Sequence, residues 1–453
     1  MGYFNLMILL SRYIFAGFGI LFVAVAFSFM KPFITYSLGT LGEKNKFLYL
    51  CITFFHLGGV SIIAGKQPDL QIRMTVILNG LMVFFIITLT LWLLKLWHRQ
   101  HEMILWNLVF FLMDIGYLML ERLDHNLATR QVMAYMIGIA AALIIPSILP
   151  VLIHAKNKYF YLALLMMTML LPFFFGDEIL GATNWVQIAG ISFQPSEIGK
   201  VALVLFLASL FSEIKPKSKR QVLGFSAVVV LGALVCLVLQ RDLGAALLYY
   251  LTFLMMIFIA TEKAILPILG MFLGSLGATV GYFVFSHVRI RVEAWLDPWK
   301  DISGTGYQVV QGLFAMGTWG WLGSGLTRGA PNKIPFAAAD YIFAALCEEF
   351  GNLMGIVILF VYLGIILQCM QIALKQKSAF NRFVAMGIAT LFAIQTFIII
   401  GGVLKLIPLT GITSPFLSAG GSSFIVSIGM IGIMTYFSYQ ERMVKIKEED
   451  RRG

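Results

Sequence analysis

Charge is what this sequence has least of. Only 12% of its 453 residues are Asp, Glu, Lys or Arg, whereas a soluble globular chain carries about 25%. Such a chain cannot be solvated all round. Cysteine is scarce too. Cys51, Cys236, Cys347 and Cys369 all lie inside apolar runs, with neither metal-ligand spacing nor an evident disulfide partner, and read as small core residues. No Walker loop, zinc motif, serine triad or dinucleotide fingerprint occurs, which removes the commonest nucleotide, metal and serine chemistries. Nor is there an inverted repeat of broken helices, the mark of many secondary transporters.

What the sequence has is apolar length. Hydrophobic residues make up 60% of it, gathered in uninterrupted runs near the ~20 residues that a helix needs to cross the hydrocarbon layer. A membrane barrel would instead show short alternating segments. Spans are expected near 5–28, 47–65, 74–96, 104–120, 131–153, 159–175, 197–212, 221–239, 243–260, 264–286, 337–366, 383–404 and 423–439. The fold class is therefore an all-α polytopic membrane protein.

The net charge of +11 is a topology signal. With the C-terminus cytoplasmic, the inner connections and the tail hold 20 of the 33 lysines and arginines, among them Lys31, Lys44, Arg99, Lys217, Arg442, Arg451 and Arg452. The outer connections hold 11, five of them in one long loop. Basic residues concentrate on the cytoplasmic side, where anionic membrane lipid is their partner, and nucleic acid drops out. An odd number of spans puts the N-terminus outside. The first run lacks a basic n-region and contains Arg12, so it reads as an uncleaved helix rather than a signal peptide, despite Ala24-Val25-Ala26.

One connection is long. Residues 287–336 lie on the outer side and hold Trp295, Trp299, Trp319 and Trp321, four of the eight tryptophans, as suits a loop at the membrane interface. Gly306 to Phe314 reads as a short amphipathic helix in that interface. Loops of this length are usually functional when they are ordered.

Ionisable residues within or beside apolar spans are costly and need an explanation. Asp340 opens the span after the long loop. It is either a general base facing an outer cavity or a charge favoured by the macrodipole at a helix N-terminus. Glu197 and Lys200 share a helical face, as an ion pair holding helices together or as a headgroup site. Asp242 sits at a helix–helix corner as a cap or a cavity residue. Of Glu348 and Glu349, at least one faces the bundle interior as a packing partner, and Asp114 reads as a buried structural residue. The segment from Pro408 through Gly411, Pro415, Gly420 and Gly421 to Ser422-Ser423 is non-helical in composition. At membrane depth such backbone survives only where it lines protein or a cavity, so it walls the same outer pocket.

Six blocks, in order, carry a resemblance. They are Glu121-Arg122-Leu123-Asp124 to Arg130-Gln131; Gly181 to Trp185 with Phe193 to Glu197 and Lys200; Gln240 with Asp242-Leu243-Gly244; Arg289, Arg291 and Trp295 to Gln311; Asp340 to Gly351; and Pro408 to Ser423. Residues 104–441 resemble the shape, elongation, division and sporulation (SEDS) family. The resemblance implies a ten-helix SEDS-type core over 104–441, including the extracellular loop 287–336. Residues 1–100 are then an N-terminal extension of about three extra transmembrane helices, and 442–453 a basic cytoplasmic tail.

The resemblance also implies a chemistry: a peptidoglycan glycosyltransferase that polymerises lipid II at the outer face of the cytoplasmic membrane, beside a class B penicillin-binding protein transpeptidase. Asp340 would be the catalytic base. Arg289, Arg291 and Lys333 are the candidates for the phosphates, and Glu197, Lys200, Asp242, Ser422 and Ser423 complete the substrate-binding set. The resemblance fixes no cofactor; the leaving pyrophosphate needs cationic neighbours or a divalent cation (Mg or Mn). The alternatives are a lipid II flippase, which needs the cavity but no base, and a catalytically silent scaffold for the transpeptidase. The chain departs from the family at Phe336, Ala338 and Ala339, where Glu, His and Thr are usual. It departs again at Arg241 for proline, Ile399 for asparagine, Lys405 for glycine and Ala419 for tyrosine.

Overall fold

The computed structural model describes residues 3–28, 38–97, 102–179, 182–188, 191–215 and 219–450. Lys31, Arg99, Gly181, Lys217, Arg451 and Arg452, which entered the readings above, lie outside the described residues.

The helices in chain order are α1 (Tyr3–Ser28), α2 (Leu38–Lys66), α3 (Leu70–Leu96), α4 (Met103–Leu123), α5 (His125–Leu152) and α6 (Lys158–Phe175). Three short strands follow, β1 (Gly176–Ile179), β2 (Ala182–Ile188) and β3 (Ile191–Phe193), paired antiparallel in the order β1-β2-β3. Then come α7 (Pro195–Ser212), α8 (Lys219–Leu239), α9 (Leu243–Thr261), α10 (Ile265–Val284), α11 (Ser286–Leu296), α12 (Tyr307–Thr318), α13 (Ile342–Phe350), α14 (Asn352–Lys375), α15 (Ala379–Val403) and α16 (Gly421–Asp450).

Among the described residues, thirteen helices are long and apolar enough to cross a membrane: α1 to α10 and α14 to α16. Their outward faces are apolar. Enclosed on nearly every side, α4 buries all but a few of its residues, whereas the equally apolar α10 buries Gly270 alone. A helix that is hydrophobic all round and not covered by protein has to be covered by lipid. The chain is a multi-pass membrane protein.

The span expected at 337–366 is interrupted. Helix α13 ends at Gly351 (φ +90°), and α14 starts afresh at Asn352 and runs to Lys375. A Cβ at Gly351 would lie 2.2 Å from the Trp321 carbonyl oxygen, so only glycine admits the close approach that breaks the helix. The helix expected around 306–314 is present as α12. The small β-sheet was not foreseen. It pins the α6–α7 connection to the α8–α9 corner, where the Thr183 amide donates to the Gln240 carbonyl at 3.2 Å.

The first three helices lie against α4, α5, α13 and α14. Polar ties fix them there. His56 on α2 bonds the buried Asp114 carboxylate of α4 at 2.5 Å and the Gly80 carbonyl of α3 at 2.9 Å. Asn107 donates to Asn45 at 3.2 Å and Asn79 to Thr129 at 3.0 Å. Side-chain hydrogen bonds between apolar helices are worth about 1 kcal/mol each and fix register more than strength. At one end of the bundle lie the N-terminal part of α1, the 285–341 segment and the start of α16. The Arg442–Glu102 ion pair (3.3 Å) marks the other.

Candidate active site

Asp340 sits in the turn immediately before α13, not inside a helix. Two bonds clamp that turn onto the 408–420 segment: Ser418 Oγ donates to the Ala339 carbonyl at 2.6 Å, and the Ala419 amide to the Ala338 carbonyl at 2.8 Å. The Asp340 carboxylate is half-buried. Loss of water pushes its pKa up to about 6, against the opposing pull of the nearby Arg291 guanidinium.

Arg291 comes from α11 and is exposed. Its Nη1 donates to the Leu409 carbonyl at 3.3 Å, and Trp295 Nε1 on the same helix donates to the Lys405 carbonyl at 3.0 Å. Both bonds dock α11 on the 404–411 segment. Gly411 (φ +81°) lies beside both groups. A Cβ there would stand 3.4 Å from Arg291 Nη2 and 3.7 Å from Asp340 Oδ2. Gly411 also helps wall a cavity of about 90 Å³, lined by Glu197, Lys200, Asp242, Gln395 and Thr413 among others.

That cavity gathers three of the residues singled out from the sequence. Glu197 and Lys200 form an ion pair at 2.5 Å. The buried Lys200 ammonium also donates to Gln395 Oε1 on α15 at 3.2 Å, and Gln395 Nε2 donates to the Thr413 carbonyl at 2.9 Å. Asp242 caps α9, accepting from the Ala245 amide at 3.1 Å. Its other oxygen accepts from Asn184 (2.9 Å), Gln194 (2.6 Å) and Ser196 (3.4 Å). With both oxygens engaged, Asp242 organises the β2, β3, α7 and α9 corner.

Ser422 and Ser423 open α16. The hydroxyl of Ser423 is buried with no hydrogen-bond partner among the described residues. Arg289 and Lys333 are exposed, and among the described residues no hydrogen bond or ion pair joins either to Asp340.

Several members of the site escaped the sequence reading. Gln395 is one, and its signal was a polar side chain in mid-span. His287 on α11 is another: burial, together with the charges of Arg291 and Arg241, pushes its imidazole below the usual range. Arg241, read only as a departure, therefore adds a second cation near His287.

A family model described as Cell cycle protein (FtsW, RodA, SpoVE) matches residues 96–443. The chain belongs to this family. Among curated members, the "Peptidoglycan glycosyltransferase RodA" of Mycobacterium tuberculosis is 34% identical over 361 residues, covering 72% of this chain and 76% of that protein. The "Probable peptidoglycan glycosyltransferase FtsW" of Geobacter sp. is 36% identical over 273 residues, covering 59% and 74%. A solved structure described as "Structural coordination of polymerization and crosslinking by a peptidoglycan synthase complex" is similar at a TM-score of 0.63 and 26% identity, over 74% of this chain and 97% of that one. Thermus thermophilus RodA shares the fold at a TM-score of 0.53 and 23% identity, over 74% and 96%.

Within this FtsW/RodA/SpoVE member, three residues near the site share one backbone feature. Arg241 (φ +60°), Phe336 (φ +56°) and Lys405 (φ +61°) are left-handed without being glycine, and Phe416 (φ +66°) joins them in the segment that clamps the Asp340 turn. Each costs about 1–2 kcal/mol relative to ordinary backbone. Such strain gathers where surrounding packing overdetermines a functional geometry.

Proposed function

We propose that the chain is a peptidoglycan glycosyltransferase that polymerises lipid II at the outer face of the cytoplasmic membrane. The observation that carries this reading is the convergence of the Asp340 carboxylate and the Arg291 guanidinium on Gly411, which also lines the cavity that holds Glu197, Lys200 and Asp242. The topology proposed with it has the C-terminus cytoplasmic, so the Asp340 end of the bundle faces outward, where basic residues are fewer.

In this reading the acceptor sugar hydroxyl gives its proton to Asp340 as its oxygen attacks the donor's anomeric carbon. The bond from that carbon to the lipid pyrophosphate breaks, and the electron pair leaves with the phosphate. A base whose pKa lies near the working pH combines availability with proton affinity. Arg291 meets the charge that develops on the leaving group. Arg289 and Lys333 remain proposals for the more distant phosphate contacts, as do Glu197, Lys200, Asp242, Ser422 and Ser423 for the substrate cavity. A divalent cation at the pyrophosphate would find no group of three His, Cys, Asp or Glu donors among the described residues. An ion carried mainly by the substrate's phosphates needs only one or two protein carboxylates; Asp340 is the residue that would hold it, and the ion would supply charge stabilisation for the leaving pyrophosphate.

The proposed partner is a class B penicillin-binding protein transpeptidase. The similar peptidoglycan synthase complex, in which polymerisation and crosslinking are structurally coordinated, supports it. The test is glycan-strand formation from labelled lipid II by the purified protein, with and without that partner. Long products from wild type that vanish in Asp340→Asn, with lipid II binding retained, would support both activity and base. Binding without product in either condition would remove the enzyme reading and leave the flippase or scaffold.

A further inference from the structure

Residues outside the matched family region touch the segment that precedes the candidate base. Arg12 on α1 donates through Nη1 to the Gly323 carbonyl at 2.9 Å. Two residues on, Gly325 (φ +94°) lies so close to α1 that a Cβ would meet Ile8 Cγ2 at 3.2 Å and Arg12 Cγ at 3.5 Å. Neither contact uses a residue of the polar cavity.

The touched segment is itself fastened to the far end of α13. The amides of Ser324 and Gly325 donate to the Glu348 and Glu349 carbonyls at 2.8 and 2.9 Å. The Ala330 amide donates to Glu348 Oε1 at 2.7 Å, and the Thr327 amide to Glu349 Oε2 at 3.0 Å. Arg122 pairs with Glu349 at 3.0 Å and donates to the Gly329 carbonyl at 3.2 Å. Gly320, Gly323, Gly325 and Thr327 all have positive φ, a backbone that does not hold its shape through local propensity. Its shape comes from what it touches.

Asp340 lies at the opposite end of α13. A nine-residue helix is a rigid rod of about 13 Å, so a displacement where Gly323 and Glu349 meet is delivered to the turn that carries the carboxylate. Phe15 of α1 adds an apolar hold on the same helix end, its ring 5.5 Å from that of Phe350 and 4.6 Å from that of Phe55.

We infer that α1 is a brace for the candidate active site and that Arg12 is a positioning residue, holding the 320–330 segment so that α13 presents Asp340 in register with Arg291. This rests on the polymerase reading above, and it gives the N-terminal helices a task. The test uses the full-length protein in nanodiscs with its transpeptidase, comparing wild type, Arg12→Ala and Arg12→Lys. Two quantities are read: steady-state kinetics on lipid II, and hydrogen exchange of the 320–330 amides.

The expected result for Arg12→Ala is faster exchange at Ser324, Gly325 and Thr327, and kcat lower by roughly tenfold with KM little changed. Arg12→Lys, which can still reach the carbonyl, recovers part of both. Unchanged exchange in Arg12→Ala would overturn the brace whatever the kinetics. Faster exchange with wild-type kcat would overturn the positioning role. A wild type that makes no product would remove the polymerase reading, and the positioning role with it.

Discussion

Arg291 and Asp340 converge on a residue with no side chain: the place a Gly411 Cβ would occupy is within 3.7 Å of both the guanidinium and the carboxylate. Alanine at this position adds an atom beside base and cation and strains a backbone at φ +81°. Gly411→Ala is expected to cost about 1 kcal/mol in stability and to lower kcat by roughly ten- to a hundredfold, since small misplacements of a reacting group cost that much. Turnover and thermal unfolding measured on the same preparation separate the two effects. Wild-type kcat in a folded variant would mean that the space beside the two groups is not used.

The pH profile tests Asp340 directly. Burial pushes its carboxyl up to about 6, so the proton is retained to a higher pH than by an ordinary carboxylate. Only the ionised form can act as base. Turnover should therefore be full above about pH 7 and fall roughly tenfold per unit below pH 6. Arg291 holds this pKa down, so Arg291→Gln should move the acid limb to higher pH as well as lower the maximum. A limb that stays near pH 4 in wild type, or moves downward in the variant, would remove Asp340 from the role of base.

Much of the architecture was legible in the sequence, because a lipid-spanning helix is written as an apolar run and needs no partner to be recognised. The split between α13 and α14 was not legible. It depends on Trp321 approaching Gly351, a contact between residues thirty apart. In the candidate site, the ionisable residues announced themselves by their cost, but which of them meet depends on how the helices rotate and on where α11 docks. Arg291 was therefore named together with Arg289, two residues earlier, although only Arg291 reaches the Asp340 turn. Gln395 and His287 carry no charge pattern of their own, and only the fold brings them to Lys200 and Arg291. The small sheet at 176–193 was masked by short strands with no run of alternation.

Asp242 has its carboxylate engaged on both oxygens, and its replacement should be felt in stability first. In Asp242→Asn, one oxygen becomes an amide that faces the donors of Asn184, Gln194 and Ser196. Losing charge-assisted bonds and setting donor against donor costs about 2–3 kcal/mol in a buried site. Thermal unfolding in detergent should fall accordingly, with Asp242→Ala lower still because the α9 cap goes too. Unfolding unchanged in both variants would show that the β2–α9 corner is held by other contacts, and would return Asp242 to the set of residues available to substrate.

Lys405 makes the opposite prediction. Its backbone, at φ +61°, is one that glycine adopts without strain. Its side chain repays little of that strain, since Nζ reaches the Leu296 carbonyl only at 3.5 Å, the outer edge of a hydrogen bond. The bond that docks α11 uses the Lys405 carbonyl, which accepts from Trp295 Nε1 at 3.0 Å and survives any substitution. Lys405→Gly should therefore raise stability by about 0.5–1 kcal/mol, the left-handed penalty less the extra chain entropy of glycine. Lys405→Val should lower it, because a β-branched residue tolerates that backbone least. Thermal unfolding of the three proteins gives the order Gly above Lys above Val. If Gly instead falls below Lys, the lysine side chain is holding the 404–411 segment in place, and the docking of α11 beside Asp340 depends on its charge.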